Sequence, residues 1–148
     1  MRLLLITIGF LILTGGLAQA QDNPAARLFK ARSLRCHFGP GIGTEWQGGK
    51  PKVRQVPNDQ TVQFDSIDLR TKTARLIGTI AAADIEVVSS LVGITFVESN
   101  PGAFLATTVY AAFGAPEEFL AIDSRHGLLP GKAVAFAEQY TGTCRIRQ

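Results

Sequence analysis

Two cysteines, Cys36 and Cys144, stand near the two ends of a long run of β-type sequence. In an oxidising compartment an even cysteine count points to a disulfide, and two cysteines allow one intramolecular pairing. A disulfide requires Cα atoms within about 7 Å, so a Cys36–Cys144 bond makes the first and last strands neighbours. A meander of consecutive strands whose ends are neighbours is a closed barrel, and closure also removes exposed sheet edges.

The oxidising compartment is read from the first twenty residues, MRLLLITIGFLILTGGLAQA. One charge at Arg2 precedes an apolar run from Leu3 to Leu13, and the stretch ends in Ala18-Gln19-Ala20. This is the pattern of a secretory signal cleaved after Ala20. Gly15 and Gly16 interrupt the run short of the ~20 apolar residues that span a bilayer. Residues 21–148 then form a single domain, exported to the periplasm or the medium.

After Asn58 the sequence alternates in short apolar stretches broken by turn chemistry, an all-β signature. Val62 and Phe64 share one parity while Ile67 and Leu69 share the other, so Asp65-Ser66 is expected to hold a β-bulge. Asn100-Pro101-Gly102 is a turn, and AFLATTVYAAF beyond it is apolar on both faces. Leu34, Cys36 and Phe38 alternate at the front of the pattern; Tyr140, Cys144 and Ile146 do so at its end. The expectation is an antiparallel up-and-down barrel of about eight strands, calycin-like, with a β-sandwich as the alternative. Lys50 to Val56 is a candidate ninth strand weakened by Pro51. The core candidates are Phe64, Leu76, Phe96, Phe104, Tyr110, Phe119 and Tyr140.

The stretch CHFGPGIGTEWQGG, residues 36–49, admits three readings. A zinc site needs three or four ligands, and His37 and His126 with bridged cysteines do not supply them. A phosphate-binding glycine loop opens into a helix, whereas Pro40, Ile42 and Trp46 follow here. The remaining reading is a strand end at Cys36 followed by a wide loop from Gly39 to Gly49 at a barrel mouth, where Trp46 either plugs the mouth or packs under the loop. No metal and no cofactor is expected.

The blocks FDSIDLRTKTARLIG, GITFVE, TTVYA, SRH and QYTGTC resemble a family of small secreted bacterial proteins of unknown function with one signal peptide and two cysteines. The resemblance spans about residues 31 to 146. It implies secretion, a disulfide and a single domain, and it carries no catalytic residue across.

Asp123, Ser124, Arg125 and His126 contain the parts of a hydrolase, but strand alternation separates Ser124 and His126 from Asp123 and Arg125. A triad needs convergent groups. His126 shares parity with Leu120 and Ile122, which suggests a hydrogen-bonded histidine at the barrel end. Asp123 and Arg125 are expected to form an ordinary ion pair. An uncharacterised hydrolase is retained as an alternative without a named catalytic residue.

Charge points instead to binding. Seven basic residues lie between Arg27 and Arg54 against Glu45 alone, whereas nine acids face three bases from Gln55 to Asp123. The overall balance after residue 20 is 14 basic against 12 acidic side chains, too even to imply nucleic acid. Barrel closure would set Arg35 beside Arg145 and Arg147 in a basic seam. The candidate binding residues are Arg35, Arg145, Arg147, Trp46, Arg125 and His126. The function expected is a non-catalytic binding module for an anionic or lipophilic envelope partner: lipid, polysaccharide or protein. The alternative is a protein-interaction or inhibitor module with a fully packed core.

The exported chain should begin at Gln21 and carry one disulfide. Intact mass before and after reduction checks both statements; a mass that retains the first twenty residues, or two free thiols, refutes them.

Overall fold

The computed structural model describes residues 23–78, 82–115, 117–128, 131 and 134–147. The leader expected over residues 1–20 and its expected cleavage point lie outside them. A short helix, α1 (Pro24–Lys30), precedes nine strands: β1 (Leu34–Gln47), β2 (Lys50–Val56), β3 (Gln60–Asp68), β4 (Thr73–Ile77), β5 (Ala82–Ser90), β6 (Gly93–Asn100), β7 (Ala103–Ala115), β8 (Glu118–Leu128) and β9 (Ala135–Ile146). Every pairing is antiparallel; β1 and β3–β9 follow one another in order, and β1 pairs with β9 to close an eight-stranded barrel. Strand β2 is the ninth, hydrogen-bonded to β1 alone among the described residues.

The disulfide joins the first and last strands, as the cysteine positions require. Cys36 and Cys144 are direct cross-strand partners with Cα atoms 4.0 Å apart, and both are fully buried. The β3 bulge is present as well: the β3–β4 register shifts between Asp65 and Asp68, and Ser66 takes a φ of 51°. That shift lets Phe64 and Ile67 both enter the core despite their opposite parity.

The expected loop from Gly39 to Gly49 is instead strand. β1 runs on to Gln47, and its register against β9 slips between Phe38 and Gly41. Within the strand, Gly41 and Gly43 serve close approach rather than looseness. A Cβ at Gly41 would strike the Gln139 carbonyl oxygen and the Tyr140 ring, and one at Gly142 would strike the His37 carbonyl. The chain reverses only at Gly48 and Gly49, with φ of 58° and 76°, the conformation a tight hairpin turn demands. The first half of β1 pairs with β3 and its second half with β2, while β9 stays paired to both halves, so β1 and β2 form a hairpin arm that is continuous with the barrel wall on its β9 side. Pro51 is accommodated because β2 is an edge strand.

The core follows the inward faces. Phe64 and Phe96 stack at its centre, with ring centroids 3.9 Å apart and planes within 6°. Phe38, Phe119, Ile94 and Val109 are buried around them. Helix α1, to which the sequence pattern assigned no element, packs on β6 and β7 at one barrel end. The Asn23 side chain caps it by accepting from Ala25 N–H at 3.0 Å, Pro24 stands at its start, and Leu28 is fully buried. Two core candidates are corrected: Phe104 is 45% exposed, and Tyr110 lies on the outer face of β7, whose inward residues are Thr107 and Val109. With both faces of β7 apolar, alternation alone could not choose between them.

Cys36→Ser should cost about 2–5 kcal/mol, since the bond closes a span of 108 residues. The denaturation midpoint of the variant should match that of reduced wild type; a midpoint equal to the oxidised parent's would show that the β1–β9 ladder alone holds the barrel.

Candidate functional site

The barrel end opposite α1 is polar inside. Thr107 donates its hydroxyl proton to Asp123 Oδ1 at 2.9 Å, and Arg125 Nε donates to Asp123 Oδ2 at 2.8 Å. The same guanidinium bonds to Gln60 Oε1 and lies 4.7 Å from the centroid of the Tyr140 ring. Tyr140 donates to Glu138 Oε2 at 2.6 Å, and Glu138 Oε1 accepts from Arg54 of the hairpin arm at 2.8 Å. These contacts run unbroken from the barrel interior to β2. Burial, together with the hydrogen bond to Glu138, pushes the Tyr140 phenol up to about 12.

Gln60, Phe64, Phe96, Glu98, Thr107 and Arg125 are among the residues that line a cavity of about 50 Å³ at this end. A single water needs at least about 10–15 Å³ measured in this way, so the space suits a few waters. It is far below the several hundred Å³ of a drug-sized ligand site. Among the described residues no buried side-chain nitrogen or oxygen lacks a hydrogen-bond partner.

This arrangement inverts the expected roles of the Asp123–His126 block. Asp123 and Arg125 do form an ion pair, but it points inward, with side chains only 6% and 23% exposed. His126 is exposed on the outside, across from Phe104 and Ala137, rather than buried at the barrel end. Phe119-Leu120-Ala121-Ile122 is apolar at both parities, so the sequence did not mark which set faces in; the pairing of Phe119 with Cys144 decides it. Ser124 and His126 therefore project away from Asp123, and the three do not converge. The candidate Arg125 is a core partner, separate from the seam.

The seam itself is assembled. Arg35 and Arg145 are direct cross-strand neighbours on the outer face of β1 and β9. Arg145 pairs with Glu118, and Arg147 bonds to Gln63. Arg35, His37, Thr61, Thr143 and Arg145 border a shallow groove of about 410 Å³. His37 Nε2 lies 3.6 Å from Asp59. Along the same outer face of β9 runs a second groove of about 420 Å³, walled by Tyr110, Leu120 and Ile122 with Thr141. Alternation on β7 and β8 could have revealed this apolar wall had the inward parity been known. Trp46 neither plugs the mouth nor joins the seam: it is half-exposed on the arm, opposite Pro51.

No helix among the described residues is long and apolar enough to cross a membrane. Comparison with protein-family models, with curated proteins and with solved structures yields no match to this chain.

Asp123→Asn leaves Arg125 without its counter-ion in a mostly buried site and should lower stability by about 2–3 kcal/mol; a chemical-denaturation midpoint equal to wild type would contradict this. Tyr140 gives an alkaline signature. The fold holds its proton more tightly than the unfolded chain, where a phenol titrates near pH 10. Its contribution is therefore complete below about pH 10 and is lost as the pH rises through about 12. Tyr140→Phe should remove that part of the alkaline stability loss, read from denaturation midpoints of the two proteins across this window.

Proposed function

We propose that the chain is an exported, non-catalytic binding module that engages an anionic envelope partner through the outside of its barrel. The observation that carries the reading is the contrast between a small internal cavity of about 50 Å³ at the polar barrel end and a cationic seam beside an apolar groove on the outer wall. The cavity at the polar end is too small for a lipid chain, so the lipophilic part of the recognition is assigned to the outer groove. Cys36–Cys144 supports an oxidising location, and the leader read over the first twenty residues supports export.

Arg35 carries the seam. Among the described residues it has no carboxylate partner, and it stands directly opposite Arg145, whose charge Glu118 partly offsets. Like charges set across a ladder repel, and an anionic group between them would relieve that repulsion. Acidic lipid, polysaccharide and acidic protein share the chemistry that recognises such a pair.

Vesicles containing acidic lipid should bind the protein, and binding should weaken as salt rises past physiological strength, where the screening length falls below about 8 Å. Replacing Arg35, Arg145 and Arg147 with Gln should weaken binding further with little change in melting temperature. Native mass spectrometry of protein taken from the cell envelope should show no lipid retained in the barrel. Unchanged binding by the triple variant, or a lipid held through purification, would overturn the reading.

A further inference from the structure

The hairpin arm carries an open sheet edge of unusual composition. Its pairing register puts Ile42, Thr44 and Trp46 of β1 on one face with Gln55, Val53 and Pro51 of β2. Ile42, Trp46 and Val53 are 61%, 50% and 73% exposed. The opposite face carries Lys50, Lys52 and Arg54. Arg54 is held by Glu45 and Glu138, whereas exposed Lys50 and Lys52 make no ion pair among the described residues. β4 ends its ladder on β3 at the Gln63–Ile77 pair, and β2 pairs only with β1 among the described residues.

We infer that the free edge of β2 takes up an extended acidic segment of a partner protein as an additional strand. Strand addition derives affinity from backbone hydrogen bonds along an exposed edge and selectivity from alternate side chains. Pro51 has no N–H to give, so the ladder forms along Lys52–Val56. An incoming strand with acidic residues at every second position sets one beside Lys52 within the ladder and the next just past its end, toward Lys50. Its alternate apolar residues then meet Val53 on the opposite face. Charge selects this occupant over a second copy of the chain: an antiparallel β2–β2 pair would place the basic face of one strand against the basic face of the other, which is destabilising. Lysine and proline on an edge are the usual guards against self-association. Those same lysines favour an acidic strand.

The test uses the full exported protein and fluorescence anisotropy with a short blocked peptide alternating glutamate and valine. Three controls accompany it: the peptide with lysine for glutamate, the peptide N-methylated on alternate amides, and the protein variant Lys50→Glu/Lys52→Glu. Binding of the glutamate peptide, weakened about tenfold or more by each of the three changes, supports strand addition. The Arg35, Arg145 and Arg147 triple variant should bind the peptide as wild type does, which separates this edge from the seam. Absence of binding overturns the inference, and so does equal binding of the N-methylated peptide, which would leave only charge attraction.

Discussion

Everything in this molecule depends on the pairing of β1 with β9. Eight strands in a meander form an open sheet with two unpaired edges until these two meet, and the Cys36–Cys144 bond lies in the lower half of their ladder. The covalent link acts mainly on the unfolded chain, by shortening the span of conformations that must be searched. The ladder acts on the folded one. Gly41 and Gly142 let the two backbones come close on either side of the register slip after Phe38. Closure is thus supported both by sulfur chemistry and by the absence of side chains where the strands approach most closely.

The same slip divides β1 into two functions. Below it, the strand is barrel wall between β3 and β9; above it, the strand is the spine of an arm with β2 on one side and β9 on the other. The arm is tied back by polar contacts, through Arg54 to Glu138, Glu138 to Tyr140, and Tyr140 to the Arg125–Asp123 pair. A buried ion pair adds little net stability compared with a well-packed apolar pair, because desolvation offsets much of the attraction. Its consequence here is positional: it makes one end of the interior polar while the α1 end stays apolar around Leu28.

With this part of the interior occupied by Phe64, Phe96 and this network, the proposed recognition is assigned to the outer wall and the arm. These are chemically distinct surfaces. The seam presents guanidinium groups beside an apolar groove on a fully paired part of the sheet. The arm presents ammonium groups and a backbone edge that is open among the described residues.

Much of the fold was legible in the residues themselves. Two cysteines at the ends of a β pattern have one partner each, so closure followed from chain connectivity. The β3 bulge was visible because Phe64 and Ile67, both apolar, change parity across Asp65-Ser66. Arg35 and Arg145 met because the disulfide brings their neighbours together. What only tertiary structure decided was direction. β7 and β8 are apolar at both parities, so nothing local told Phe104 and Tyr110 to face out or Asp123 and Arg125 to face in; the choice was made by which set packs against the inward cysteines and Phe96. The glycines after Cys36 likewise read as a loop because glycine permits both looseness and close approach. Only a neighbouring backbone, here Gln139 across from Ile42, distinguishes the two.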